Sequence, residues 1–287
     1  MPELTFRGRT VARDRALIMA IVNRTPDSFY DNGITYADEA ARTAIGSSIA
    51  EGADVIDLGG VPASPGPEVT VAQELDRVLP TLEWAREAYP DLVISVDTWR
   101  HEAAARMCAA GADLINDSWG GVDPEIVEVA AQYGAGYVCA HTGGLAPRTD
   151  PVRPQYADVV GSVVDDLVGQ AERAVTKGVP REGILIDPAL DFGKNSHHSL
   201  EVLRNVPKLV ETGWPVLMAM SNKGFVGETL DVELDERVTG TLASTGWAAR
   251  DGAAMFRAHQ VRETRQVVEM VATLLGQRPP ANVVRWV

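Results

Sequence analysis

Short apolar runs that close on polar residues recur along the chain, separated by longer stretches whose apolar positions return every three or four residues. Eight such runs stand at residues 16–23, 55–60, 92–99, 114–119, 137–142, 184–190, 216–221 and 255–259. Six are introduced by a glycine that ends the preceding helical stretch, as in GADVIDLGG, GADLINDSW and GAGYVCAHT. Glycine fits there because the residue after a helix often turns left-handed. A strand that is apolar throughout has to be covered on both faces, which is the condition of a parallel sheet packed between helices. The intervening RHEAAARMCAAGA, DPEIVEVAAQYGA and VRETRQVVEMVATLLG carry the helical period. Thr70 with Gln73 reads as a capping box opening the second helix, and Asp123 as a cap with Pro124 in the first turn behind it. Eight strand–helix units predict an α/β protein with a (β/α)8 TIM barrel, one domain over residues 1–287. The N-terminal LTFRGRTVA is expected as a short hairpin covering the barrel floor. A doubly wound open sheet is the alternative, weakened because no G-x-G-x-x-G follows the first strand.

Composition narrows the class. At 287 residues and 45% hydrophobic content the chain can bury a large core. It carries 26 basic against 40 acidic residues, a net charge of -14, with no run of five or six basic residues, so nucleic acid is not an expected partner. The start lacks an apolar signal region, and ALIMAIV is far short of the ~20 residues a membrane span needs. The expectation is a soluble, cytoplasmic protein with no membrane partner. Cys108 and Cys139 lie in apolar contexts and read as small buried hydrophobes.

In a barrel of this type chemistry gathers where the strands end. Asn23, Asp57, Asp97, Asn116 with Asp117, His141, Asp187, Ser221 with Lys223, and Arg257 with His259 close the apolar runs. Asp57 and Asp117 could equally be caps or network supports, and His141 a satisfied core histidine. As a set, however, so many polar strand ends are costly unless they serve a ligand. Asp97, Asn116 and Asp187 suit a flat heterocycle with an amino group beside a ring N–H, since a carboxylate accepts both in parallel. Lys223, Arg257 and His259 supply positive charge suited to phosphate oxygens.

In this order the motifs resemble those of dihydropteroate synthases over nearly the whole length. NRTPDSFYDNG follows the first strand and DLGG the second; then come SVDT, IND, IDP with FGKN, SNK and RAH. The resemblance implies a transferase that binds dihydropterin-methyl diphosphate with Mg²⁺, expels diphosphate and lets the amine of p-aminobenzoate attack the methylene carbon. By motif, Asn23 would contact Mg²⁺ and diphosphate. Asp97, Asn116, Asp187 and Lys223 would hold the pterin, and Arg257 and His259 the diphosphate, with Lys223, Arg257 and His259 carrying the catalytic work. Within the first loop, Thr25, Asp27, Ser28 and Phe29 match the pattern, whereas Arg24, Tyr30 and Asn32 depart from it.

The remaining departures cluster around the second substrate. GGVPASPG puts Ala63 and Ser64 where the family has threonine and arginine. SNKG puts Asn222 for arginine, and Gly224 for the serine that would face the aminobenzoate carboxylate. DPALDFGKN replaces a glycine-rich stretch and sets Asp191, beside Phe192, near that carboxylate. Removing charged contacts to an anion commonly costs about 10² or more in rate or affinity. The expectation is a divergent, condensation-deficient paralogue that still binds the pterin diphosphate. Alternatives are a non-catalytic pterin-binding protein, an active synthase of folate biosynthesis in which Arg24 restores the loop charge, and a transferase using another amine. A pterin-dependent methyltransferase barrel is disfavoured by the RAH and NRTPDSF motifs. By resemblance a homodimer is expected through LASTGWAA and the apolar face of RQVVEMVATLL.

Overall fold

The structure, a computed structural model, describes residues 3–25, 35–149 and 155–285. Asp27, Ser28, Phe29, Tyr30 and Asn32 of the first loop lie outside the described residues. An antiparallel hairpin, β1 (Leu4–Phe6) and β2 (Arg9–Val11), precedes eight parallel strands. These are β3 (Leu17–Asn23), β4 (Val55–Gly59), β5 (Val93–Asp97), β6 (Leu114–Asp117), β7 (Gly136–Ala140), β8 (Ile184–Asp187), β9 (Leu217–Ala219) and β10 (Met255–Ala258). Around them run α1 (Asp38–Glu51), α2 (Val71–Ala88), α3 (His101–Ala109), α4 (Ile126–Tyr133) and α5 (Val159–Thr176). The later repeats add α6 (Ser196–Arg204), α7 (Val206–Val210), α8 (Gly224–Leu230), α9 (Val238–Arg250) and α10 (Val261–Leu274).

The strand order β8-β7-β6-β5-β4-β3-β10-β9 is that of a (β/α)8 barrel. Its seam, between β8 and β9, is closed by a single parallel bridge, Ile186 to Val216, with the Ile186 amide donating to Pro215 O at 2.9 Å. Several strands stop earlier than their apolar runs suggest. After β8, Pro188 has no N–H to give the ladder and Ala189 turns left-handed at φ 46, so the strand ends at Asp187 instead of reaching residue 190. The capping box on α2 is present, Thr70 Oγ1 accepting from Gln73 N at 3.2 Å and Gln73 Oε1 from Thr70 N at 2.9 Å. Asp123 differs from expectation. It shapes the turn ahead of α4, accepting from Glu125 N at 3.1 Å and from His101 N at 2.9 Å, and the helix itself starts at Ile126.

Alternation along the strands divides the core in two. Ile18, Ile56, Ile94, Ile115 and Ile186 face outward into the layer shared with the helices. Leu17, Met19, Val55, Val93, Leu114, Val138, Leu185, Leu217 and Met255 pack inside the barrel with Leu4 and Phe6 of the hairpin, which plugs the floor as expected. The plug is close-fitting: a Cβ on Gly136 would come within 2.5 Å of Phe6 Cδ1 and 2.7 Å of Gly183 O. On five strands the same face turns polar two residues further on, with Asp57 after Val55, Ser95 after Val93, Asn116 after Leu114, Asp187 after Leu185 and Arg257 after Met255. The functional layer is thus the upper continuation of the floor that the hairpin seals.

Candidate functional site

At the strand ends the polar layer closes into one network around Arg257. Its Nε donates to Asp57 Oδ2 at 2.7 Å and its Nη2 to Asp97 Oδ2 at 2.9 Å. Asp57 also accepts from Ser95 Oγ at 2.6 Å and from Asn116 Nδ2 at 3.2 Å, which leaves it fully buried with partners on both oxygens. Asp97 accepts a further bond from Ser118 Oγ at 2.7 Å. Register brings these residues together: Asn23 pairs with Gly59, Gly59 with Asp97, and Asp97 with Asn116. Gly59 leaves a gap over which the side chains of Asn23 and Asp97 converge, since a Cβ there would lie 3.5 Å from Asn23 Oδ1 and 3.9 Å from Asp97 Oδ2.

Burial sets the electrostatics. It pushes the Asp97 carboxyl up to about 6 against the pull of Arg257, with neighbouring Asp57 adding to the rise. It also raises Asp187, opposed by Lys223 and by the Ala189 amide, which donates to Asp187 Oδ1 at 2.8 Å. Arg257 stays above its ordinary value because Asp57 and Asp97 outweigh its desolvation. Lys223 is pulled down by burial, Asp187 and Asp191 recovering part of the loss; its Nζ donates to Leu190 O at 2.6 Å and lies 4.8 Å from the centroid of the Phe192 ring.

The expected positive charge of Lys223, Arg257 and His259 is changed at His259, and at Arg257 it is shared with carboxylates. His259 is neutral: burial, reinforced by Arg257, lowers it to about 3, and its Nδ1 lies 2.9 Å from Ser221 Oγ. Arg257 spends its charge on two carboxylates. Asp117 turns to the outer face and builds the turn after β6, accepting from Tyr137 Oη at 2.6 Å and Gly121 N at 2.8 Å. Among the described residues no group of three or more His, Cys, Asp or Glu is placed to hold a metal. Among the described residues Asn23 offers one amide oxygen, which suits a Mg²⁺ that arrives on phosphate oxygens and keeps most of its water.

The residues expected at a second-substrate site do not converge. Arg24 is 4% exposed and faces away from the cleft. Its Nε donates to Arg77 O at 3.0 Å, its Nη1 to Thr35 O at 2.9 Å and Tyr36 O at 2.5 Å, and its Nη2 to Asp38. It staples the entry of α1 to α2, so it does not restore the loop charge. Asn222, fully buried at φ 56, donates from Nδ2 to Gln260 Oε1 at 3.2 Å, and its amide donates to Thr241 Oγ1 at 3.0 Å; it braces β9 against α9 and α10. Asp191, at φ 71, accepts from Phe225 N at 3.1 Å and from Ser199 Oγ at 3.3 Å. A Cβ on Gly224 would lie 3.2 Å from Asp191 Oδ2, so the carboxylate fills the space a side chain there would enter. Ala63 and Ser64 are exposed and line the cleft without charge.

Three cleft residues escaped the sequence reading. Trp99 and Trp119 line the same cleft, with ring centroids 6.2 Å apart, and Trp119 meets Phe192 edge-on at 5.1 Å. Ser118 holds Asp97, as described above. The signal was present in the sequence as a Ser-Trp pair directly after IND and a Trp directly after SVDT, both immediately beyond strands already read as site-bearing.

A parallel barrel with a sealed floor carries a buried acid–amide–guanidinium network at its mouth. The chain belongs to the family of pterin-binding enzymes, whose model matches residues 19–259. It is 62% identical to the inactive dihydropteroate synthase 2 of Mycobacterium tuberculosis over 98% of this chain and 90% of that protein. It is 34% identical to the dihydropteroate synthase of Streptococcus pyogenes over 93% and 99% of the two chains. The crystal structure of Yersinia pestis dihydropteroate synthase in complex with a sulfonamide drug superposes with a TM-score of 0.90 at 33% identity, covering 96% of this chain and all of that one.

Proposed function

We propose that this protein is a divergent dihydropteroate synthase homologue that binds (7,8-dihydropterin-6-yl)methyl diphosphate and condenses it with p-aminobenzoate weakly or not at all. The observation that carries the reading is the contrast at the mouth of the barrel. Asp97, Asn116 and Arg257 are joined through Asp57, with Asp187 and Lys223 near enough to feel the Arg257 charge, while Arg24, Asn222 and Asp191 are bonded to helices and turns beside the mouth.

In this reading Asp97 and Asp187 take the amino group and ring N–H of the pterin, and Asn116 its complementary edge. Lys223 caps the ring from the Phe192 side. Asn23 and neutral His259 meet the diphosphate as uncharged polar groups, with Arg257 as the cation. A Mg²⁺ carried on the diphosphate would neutralise the leaving group, with Asn23 contributing one oxygen. Asp191 disfavours an acceptor bearing a carboxylate, because its own carboxylate already occupies the Phe225 amide. The Trp99–Trp119 wall favours, as a second reading, transfer to a neutral aromatic amine.

The test is a titration of the purified protein with Mg²⁺ and dihydropterin-methyl diphosphate, followed by assay of diphosphate and pteroate with p-aminobenzoate. Tight binding without pteroate supports the reading. Pteroate at the rate of an active synthase overturns it, and diphosphate release with 4-aminobenzamide alone selects the second reading. We further infer a homodimer through α9 and α10, which leave Trp247, Met270 and Leu274 47%, 58% and 73% exposed. A monomeric mass by light scattering would remove that inference.

A further inference from the structure

Residues 61–68 join β4 to α2, and the first four of them, Val61 to Ser64, line the cleft. They are pinned at their two ends, Arg77 Nη1 donating to Gly60 O at 2.8 Å and Arg100 Nη2 to Val69 O at 2.7 Å. Within the segment, the hydrogen bonds that reach it from elsewhere among the described residues both come from one side chain. Arg148 Nε donates to Ser64 O at 3.2 Å and Nη1 to Pro67 O at 2.6 Å. Arg148 stands beyond β7, three strands around the barrel from β4, so the contact spans the mouth over the loops that carry Trp99 and Trp119.

Two features mark the contact as built. Arg148 is held at φ 59, a left-handed conformation that residues with a Cβ adopt at a cost. The turn that carries it is closed by Thr149, whose N and Oγ1 both donate to Ala146 O, at 3.4 and 2.7 Å. On the other side Gly66 makes room, since a Cβ there would lie 3.0 Å from Arg148 Nη2. The segment's own Ser64 carries no charge with which to anchor itself.

We propose that Arg148 is the positioning residue that holds residues 61–68 over the cleft, and that it thereby sets how long the ligand stays. The second half rests on the reading above that the cleft takes the pterin diphosphate. Two bonds from a guanidinium, partly exposed, are worth about a tenfold change in an equilibrium or a dissociation rate.

Backbone amide order parameters of the full chain decide the first half without ligand. Ala63, Ser64 and Gly66 are expected near the rigid value of about 0.85 in the wild type and below about 0.6 in Arg148→Ala, with the barrel strands unchanged. Arg148→Lys, which keeps one charged donor, should recover part of the order. Dissociation of dihydropterin-methyl diphosphate, followed by tryptophan fluorescence, should be about tenfold faster in Arg148→Ala and intermediate in Arg148→Lys. The proposal is overturned by a segment already mobile in the wild type, by order parameters that do not change, or by loosening spread over the whole barrel. It is overturned equally by a loosened segment with an unchanged dissociation rate. A wild type that binds no pterin diphosphate refutes the functional reading instead, and the order parameters alone then judge the strap.

Discussion

The two halves of the barrel mouth use similar residues to opposite ends. On the side of β4, β5, β6 and β10, polar side chains bond to one another around Arg257 and Asp57, and Asp97 and Arg257 at the edge of that network line the cleft. On the side of the β8–α6 and β9–α8 connections, Asp191 and Asn222 bond to helix amides and helix side chains, and the space between them is already used. Arg24 behaves like the second group although it follows β3. Side-chain chemistry alone therefore does not mark a binding residue; the direction in which the backbone presents it does.

The most damaging way to probe the first half is to remove its centre. Asp57→Ala leaves Arg257 with a single carboxylate and strips Ser95 and Asn116 of a buried partner, so a loss of about 3 kcal/mol in stability is expected from urea unfolding. Pterin binding should disappear with it. A variant as stable as the parent would show that the network is not the frame of the site. Arg24→Ala probes the other half. It should cost about 1–3 kcal/mol through the orphaned carbonyls of Thr35, Tyr36 and Arg77. It should leave any residual p-aminobenzoate turnover unchanged at permissive temperature. A selective loss of turnover would return Arg24 to the site and erase the contrast.

His141 lies between the halves, at the end of β7. Its ring is 3% exposed, its Nδ1 has no hydrogen-bond partner, and burial, reinforced by Lys194, lowers it to about 4. It is as buried as a core histidine, but it borders a cavity with Tyr156 and Asp166 and is unsatisfied at one nitrogen. The folded state thus refuses a proton that the unfolded chain takes up near pH 6.5. Its contribution is present above that pH and is lost as the pH falls through about 4, by up to about 3 kcal/mol. Asp97 acts with the opposite sign, because a raised carboxyl takes up protons more readily folded than unfolded. The measurement is therefore a difference: between pH 6.5 and 4 the stability of His141→Asn should fall less steeply than that of the parent. Parallel curves would mean that the imidazole finds a partner on protonation.

Much of this was legible in the sequence. The eight strands follow from runs that are apolar on both faces, and the network from polar residues placed in phase with Val55, Val93, Leu114 and Met255, because the period of two fixes the inward face. What stayed hidden depends on partners distant in sequence. Arg148 reaches Ser64 across 84 residues, and Arg24 finds four partners on two helices and a turn. No local pattern encodes either contact. The neutrality of His259 was hidden for the same reason, since it follows from burial and from Arg257, not from residue type.

The smallest effect tests whether the altered loop has adapted its backbone or only its side chains. Ala189 and Asp191 lie in the stretch that replaces the glycine-rich one of the resemblance, and both hold left-handed φ values of 46 and 71. The loop has thus held a glycine's shape with residues that resist it. Asp191 is compensated by bonds to Phe225 N and Ser199, whereas the Ala189 methyl has burial alone to offset the strain. Relief of a left-handed alanine contributes roughly 1–2 kcal/mol, against about 0.4–1 kcal/mol of extra chain entropy and about 0.8 kcal/mol of lost methyl burial. Ala189→Gly is therefore expected within about 0.5 kcal/mol of neutral by thermal unfolding. Ala103→Gly, at a fully buried position inside α3, pays the last two terms with no relief and should cost about 2 kcal/mol. Equal losses at the two sites would mean that the strain at Ala189 has been absorbed by its surroundings, and that the second half of the mouth was rebuilt in its main chain as well as in its side chains.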